Sequence, residues 1–432
     1  MVGICVTLAA CGGGSSQERR TDTTCDGRIN GTKHVTAWFH ASSDVGAEPA
    51  TLRKQVAAFN ASQRQVRVRL ITLPEGDYSN QIRSAVATGN LPDVLDFDGP
   101  SLYNYAWSGK LKPIDSCISK RERADLLPSI LQQGSYAGRM WGVGTFDSGL
   151  GLYVRPSILA RAGIRIPRGP DDAWTAAEFA AILHKLQQMG YRRPLDLQMD
   201  PQPLEWNTYG FAPAVWSAGG DLIDRTNYRR VAGVLNGAPA VKVLSIIRGW
   251  AQAGYTDPSG NGFARGKAPI AWVGHWMFDP YTKAFPRDVT IVPLPNFGRR
   301  TVTGMGSWQW GITANATDGD AAWRFLAFLL RPGEVVRMTR ANGSIPATKS
   351  AIRRSPRFAP GGPEHLYITQ LESGVARPRP QTPAYPALSE AFSRAFQAIV
   401  LQRRPVKPEL DAAARRAARD VDSHQYYKTT RP

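Results

Sequence analysis

Past its first dozen residues the sequence has no apolar run long enough to cross a bilayer, so the body of the chain is expected to fold as a soluble domain. Cysteine is scarce. Four cysteines in 432 residues, with no His/Cys cluster around them, are too few for a metal site, and no metal or cofactor is expected. Neither G-x-S-x-G nor H-E-x-x-H occurs, which removes two well-marked hydrolase motifs. Acidic residues are also short in number, 35 against 53 Lys and Arg, for a formal net charge of +18. That imbalance raises nucleic acid, anionic lipid or an anionic ligand as partner. The cations, however, fall in ones and twos, as in Arg192-Arg193, Arg229-Arg230, Arg299-Arg300, Arg353-Arg354 and Arg415-Arg416, with no basic run interleaved with stacking aromatics. A solvated basic surface is expected, and nucleic acid is not expected as a partner.

What the chain does have is enough apolar content to fold, 42%, and enough length to need two lobes rather than one core. Twelve Trp, fourteen Tyr and fifteen Phe can both fill cores and line a pocket. The first residues are apolar and close on Leu8-Ala9-Ala10-Cys11, followed by Gly12-Gly13-Gly14-Ser15-Ser16. This resembles a bacterial lipoprotein signal and its lipobox. The resemblance implies cleavage before Cys11, a lipid (diacylglyceryl and palmitate) on its thiol, residues 1–10 as the remnant of a signal peptide, and residues 11–30 as a flexible tether. The positive segment that normally opens such a signal is missing, which points to a true start further upstream. Export changes the arithmetic of the cysteines. Cys5 leaves with the signal and Cys11 is lipidated, so Cys25 and Cys117 remain as a pair in an oxidising compartment, where a disulfide is expected and two free thiols are the alternative.

From Lys33 onward strand and helix patterns alternate. His34 to Phe39 and Val66 to Thr72 alternate like strands, and Asp93 to Phe97 reads as a third. Between them, Pro49 to Ser62 places Leu52, Val56 and Phe59 on one helical face, and Tyr78 to Thr88 reads as a second helix. That order is a βαβαβ unit with a parallel sheet, whose ligands would lie at the carboxyl ends of the strands: the loop after His40 and the loop Asp96 to Gly99. Thr175 and Glu178 form a capping box that opens a helix from Ala176 to Met189. Further helices are expected over 238–253 and 320–330, with a helical tail over 383–422 broken at Pro405 and Pro408; the Gly- and Trp-rich segment from Glu205 to Asp221 is expected only as a joining segment. The stretch Phe263 to Trp276 runs from a charged Gly turn through an apolar strand to an exposed Gly274-His275-Trp276 tip. A flat ring beside hydrogen-bonding groups suits the apolar face and polar edge of a sugar, whereas Trp272 is expected in the core.

The order of parts is itself informative: Leu91-Pro92-Asp93-Val94, Tyr136 to Val143, Leu152-Tyr153-Val154-Arg155 followed by Ala162-Gly163-Ile164, Trp174 to Phe179, Gly266 to Trp272, Val292 to Pro295 and Gly304 to Trp308. It resembles the extracellular solute-binding proteins of carbohydrate ABC transporters, the family that includes maltose-binding protein. The resemblance implies an α/β, two-lobed periplasmic-binding-protein fold of type II, with lobes of 31–147 plus 298–333 and 148–297 plus 334–432. It implies a monomer anchored to the outer face of the cell membrane by its lipid alone, which closes on a sugar and delivers it to permease subunits without chemistry. Carried over to this chain, the ligand contacts would be His40, Ser42, Asp98, Asp147, Trp216, Gly220, Asp221, His275, Trp276, Gly306, Ser307 and Trp308, with Arg377 and Tyr385 near the hinge. Arg377 and Arg379 leave open a phosphorylated or otherwise anionic sugar, and a neutral or amino sugar is an equal reading. The rival function is a glycoside hydrolase, for which Asp96, Asp98, Asp147, Glu205 and Asp221 could supply the paired carboxylates.

Overall fold

The computed structural model describes residues 23–41, 47–199, 204–257 and 260–426. Cys11 and Ser42 lie outside the described residues. The first lobe is built on the sheet that the alternation predicted. Strand Lys33–Ala41 turns Val35, Ala37 and Phe39 inward and pairs in parallel with Val66–Pro74 on one side, Lys33 opposite Val66, and with Val94–Asp98 on the other. The crossover helix Ala47–Ser62 buries Leu52, Val56 and Phe59, and the next helix, Glu75–Thr88, buries Tyr78, Ile82 and Ala85. A fourth strand, Trp308–Ile312, returns from far along the chain and lies antiparallel at the edge, Trp308 directly opposite Asp98. That register brings an aromatic ring and a carboxylate to the same end of the sheet.

The second lobe has a five-stranded sheet in the order Thr290–Val292, Leu150–Val154, Ile270–Gly274, Leu195–Asp196, Thr256–Asp257. Ile270–Gly274 is its middle strand and is buried at every position, as a continuous apolar run requires. Trp272 is a core residue, its indole N–H donating to the Gly210 carbonyl at 2.9 Å. The capping box at Thr175 and Glu178 starts the helix Ala176–Gln188 as expected. Residues 204–217 are helical, which corrects the expected joining segment. Gly210 and Pro213 argue against a helix locally, but the segment buries Tyr209, Phe211, Val215 and Trp216 and packs on the helix Tyr385–Val400, with Phe211 and Phe396 stacked at 4.3 Å. Tertiary burial outweighs propensity here. The tail breaks at Pro405 but not at Pro408, which sits in the first turn of the helix Val406–His424 where a missing N–H costs nothing.

Two pairs of short strands join the lobes: Phe146–Asp147 with Ile345–Pro346, and Thr303–Met305 with Ala376–Pro378. The helix Pro332–Asn342, most of which the expected division assigns to the second lobe, packs on Ala47–Ser62, and Gln55 Nε2 donates to the Glu334 carbonyl. No helix among the described residues is long and apolar enough to cross a membrane.

Cys25 and Cys117 are joined in a disulfide across 92 residues of sequence. The segment leading into the first strand is held further by Asp320, whose carboxylate accepts the backbone N–H groups of Asp26 and Gly27, each at 2.9 Å. In the chain-entropy account, closing a loop of this length stabilises by about 4 to 5 kcal/mol. Replacing both residues by Ser is therefore expected to lower the denaturant midpoint in proportion with unchanged far-UV circular dichroism; an unaltered midpoint would show that the cross-link does not contribute.

Candidate functional site

The strands of the first lobe end at a cluster of polar and aromatic groups that faces the second lobe. His40, at the end of its strand, is buried, and its ring lies flat on Trp308 with centroids 3.5 Å apart and planes 10° apart. Tyr78 packs against the same indole at 5.8 Å and donates its hydroxyl proton to the Asp96 carbonyl at 2.7 Å. The imidazole Nδ1 of His40 is in contact with Asp96 Oδ2. Burial pushes the His40 pKa down, but the charges of Asp96, and more weakly of Glu48 and Glu75, outweigh it and raise it to about 9. Burial raises the Asp96 carboxyl too, against the opposing pull of the His40 imidazole. Trp308 is itself only partly buried.

Asp98 sits one strand over and is held by Arg379, Nη1 to Oδ2 at 2.8 Å and Nη2 to Oδ1 at 3.0 Å. The same Nη1 reaches Glu205 Oε1 of the second lobe at 2.6 Å. Glu205 accepts further hydrogen bonds from the hydroxyls of Tyr385 and Ser389. The guanidinium is 95% buried and lies over the ring of Tyr209 at 4.8 Å. Tyr209 and Trp206 in turn support Trp276, at 6.3 and 5.6 Å between centroids. Trp276 is partly exposed and its ring rests on Gly274, where a Cβ would lie 2.1 Å from the indole. That contact requires the glycine that opens the Gly274-His275-Trp276 tip. An aromatic ring from each lobe, with carboxylates and a guanidinium between them, can pack on apolar ring faces and exchange hydrogen bonds with hydroxyls.

The hinge is fastened beneath this cluster by Asp147, which is fully buried. Its Oδ1 accepts the N–H groups of Ser148 and Gly306 at 2.8 and 2.9 Å, and Gln133 Nε2 donates to its Oδ2 at 3.1 Å. Gln133 Oε1 accepts the Ser307 N–H at 3.2 Å. Gly306 has φ +115°, outside the range comfortable for other residues. Ser307 Oγ and His275 Nδ1 are buried without a protein partner, and burial lowers the His275 pKa to about 3, so that ring is neutral.

Of the residues singled out in the sequence, the structure brings together His40, Asp98, Trp308, Trp276 and Tyr385 around Arg379, with Asp147, Gly306 and Ser307 at the hinge behind them and His275 beside Trp276. It does not bring Trp216, Gly220, Asp221 and Arg377 to this place. Trp216 stands eleven positions after Glu205 on one helix, about 16 Å along its axis, and the other three surround it at that far end. Arg379, Glu205, Tyr209 and Trp206 were not among the sequence-derived ligand contacts. Glu205 and Trp206 open the helix that local propensity hid, and the partners of Arg379 are 281 and 174 residues away in sequence.

A sequence profile described as bacterial extracellular solute-binding protein matches residues 54–360. An uncharacterised lipoprotein encoded in the oleD 5′ region of Streptomyces antibioticus is 22% identical over 319 residues, 70% of this chain and 68% of that protein. Among solved structures, the GacH receptor of Streptomyces glaucescens, studied unliganded and with acarbose, superposes with a TM-score of 0.77 at 20% identity over 90% of this chain and all of that one. UgpB of Mycobacterium tuberculosis, in complex with glycerophosphocholine, gives 0.77 at 19% identity over 92% and 100% of the two chains.

The His40–Asp96 pair sets a pH dependence. The folded pKa of about 9 lies above the ordinary 6.5, so the pair's contribution is fully present below pH 6.5 and is lost as pH rises through 9. It amounts to at most about 3 kcal/mol. The difference in unfolding free energy between wild type and His40→Gln should shrink across that window; a difference independent of pH from 6 to 10 would refute the ion pair.

Proposed function

The chain belongs to the bacterial extracellular solute-binding proteins, and from that premise we propose that it captures a sugar or sugar derivative between its lobes and hands it to an ABC importer. Capture is by hinge closure, with no bond made or broken. The observation that carries this reading is the pair of partly exposed indoles, Trp308 from the first lobe and Trp276 from the second, placed on either side of the Asp98–Arg379–Glu205 bridge. Rings supply the apolar contact to pyranose faces. The carboxylates, Ser307 Oγ and the neutral His275 supply acceptors and donors for hydroxyls, so the ligand residues are His40, Asp98, Glu205, Trp276, His275, Gly306, Ser307, Trp308, Arg379 and Tyr385. Arg379 is already committed to two carboxylates, and Glu48, Glu75, Asp96, Asp98 and Glu205 outnumber His40 and Arg379 around the cluster. A neutral or amine-bearing sugar suits that balance better than an anionic one.

In this reading the mature protein is a monomer held at the outer face of the membrane by a lipid on Cys11, and its partners are the permease subunits of the importer. Asp98 and Glu205 share one guanidinium instead of standing free as an acid and a nucleophile, which favours binding over hydrolysis.

A thermal-shift screen over neutral, amino and phosphorylated sugars should find a ligand that stabilises by about 2.7 kcal/mol at 100 times its Kd. With that ligand, Trp276→Ala and Trp308→Ala should each raise Kd at least tenfold in calorimetry, Trp→Phe should recover part of the loss, and chromatography of the mixture should return the sugar intact. Normal affinity in both Ala variants, or release of a cleaved product, would overturn the proposal. For the anchor, Cys11→Ala expressed behind a complete signal peptide should move the protein from membrane to soluble fractions; unchanged fractionation, with no lipid found on the wild type by mass spectrometry, would dispose of it.

A further inference from the structure

The far end of the helix Leu204–Ser217 borders a cavity of about 830 Å³, lined also by residues 299–302 and 374–377. Its wall is cationic. Arg225 Nε and Arg377 Nη2 share a single carboxylate oxygen, Asp221 Oδ2, at 2.9 and 2.8 Å. Both guanidinium groups lie over the ring of Trp216, at 5.2 and 5.6 Å, which fixes their height and leaves little of the indole exposed. Two further arginines, Arg299 and Arg300, line the same cavity. Their loop is pinned to the helix end, the Arg299 N–H donating to the Ser217 carbonyl at 3.0 Å and Ser217 Oγ donating to the Arg300 carbonyl at 2.6 Å. Neither forms an ion pair among the described residues. Arg230 also lines the cavity but is matched by Asp224 at 2.9 Å.

Two guanidinium groups thus share one carboxylate, and two more line the same cavity. The imbalance is felt inside the cluster: burial, and then repulsion from Arg225 and Arg300, lower the pKa of Arg377. Arg225 Nη2 is buried with no acceptor. A surface selected only for solubility scatters its cations, as the rest of this chain does; here an indole platform and a pinned loop hold them together at a concave site. Guanidinium groups pair bidentately with tetrahedral oxyanions, and the cationic excess over Asp221 favours a doubly charged phosphate over a singly charged carboxylate. The volume exceeds what a bare ion fills and falls in the range of small-molecule sites. We infer that this cavity is a second binding site, specific for a phosphate group carried on a small polar body, either a soluble phosphate ester or the headgroup of an anionic lipid. It shares none of the side chains proposed to hold the sugar.

The test uses the full chain carrying Cys11→Ala, so that no acyl chain drives membrane association. In phosphate-free buffer with 150 mM sodium chloride, calorimetry with inorganic phosphate and with glycerol 3-phosphate reads the soluble source; co-sedimentation with phosphatidylglycerol vesicles, against phosphatidylcholine vesicles, reads the headgroup. Saturable one-to-one binding is expected in at least one arm. Arg225→Gln/Arg377→Gln should weaken it at least tenfold, and Arg299→Gln/Arg300→Gln, whose side chains are exposed and whose loss leaves the fold intact, should weaken it severalfold. Arg353→Gln/Arg354→Gln, an exposed pair elsewhere on the chain, removes the same charge and should leave binding unchanged. Binding in the calorimeter alone assigns a soluble ester, and binding to anionic vesicles alone assigns a lipid headgroup. Absence of binding in both arms, full binding in Arg299→Gln/Arg300→Gln, or equal weakening in the Arg353/Arg354 control overturns the site.

Discussion

One guanidinium holds the two lobes in register. Arg379 takes Asp98 from the first lobe and Glu205 from the second, and nearly every feature of the cluster between the lobes is placed relative to it: Tyr209 beneath it, Tyr385 and Ser389 behind Glu205, Trp308 across the strand from Asp98. A guanidinium removed from water this thoroughly carries a desolvation penalty that its attraction to two partly exposed carboxylates only partly offsets. Such a bridge is therefore a weak source of net stability and a strong source of geometry. The consequence for motion follows. Lobes joined through an apolar seam would hydrate at a cost on parting, whereas carboxylates and a guanidinium regain water when they separate, so a charged contact leaves the open and closed forms closer in free energy.

The molecule as a whole is rich in cations, whereas its cleft is rich in carboxyl groups, most of which burial pushes toward the neutral form. Five carboxylates crowd the end of the first sheet and the facing helix, in a protein whose net charge is +18. The positive excess lies elsewhere, on solvated surface and around Trp216. Composition alone therefore misdirects: a strongly basic chain suggests an anionic ligand at its main site, and the residues that meet there argue for a neutral or basic one.

Much of the fold was legible in the sequence because strands with one buried face alternate and crossover helices repeat at 3.6 residues; the first three strands and the two helices between them follow from Val35, Ala37, Phe39, Leu52, Val56 and Phe59. The rule that ligands gather at the carboxyl ends of parallel strands put attention on His40 and Asp98, and the pairing of a flat ring with hydrogen-bonding groups put it on His275 and Trp276. What could not be read was anything decided by distant partners. Gly210 and Pro213 masked a helix that exists through its burial against residues 385–400. Asp147 reads as an exposed acceptor until its oxygens are seen to be filled by Ser148, Gly306 and Gln133. Arg377 and Arg379, two residues apart, read as one basic patch, yet they serve clusters at opposite ends of a helix. The same distance effect placed Trp216 and Asp221 with the sugar residues in sequence and away from them in space.

The attachment of the N-terminal segment has a mechanical meaning. Cys25 belongs to the core of the first lobe, and the residues after it are clasped by Asp320 on a helix of that same lobe. Any tension on the segment before Cys25 is thus delivered to the rigid body of the first lobe, through a covalent bond, and none passes through the paired strands at the hinge. Were that segment to tether the protein as proposed, the second lobe would be the one left free to swing, and the work of closing would not depend on the tension.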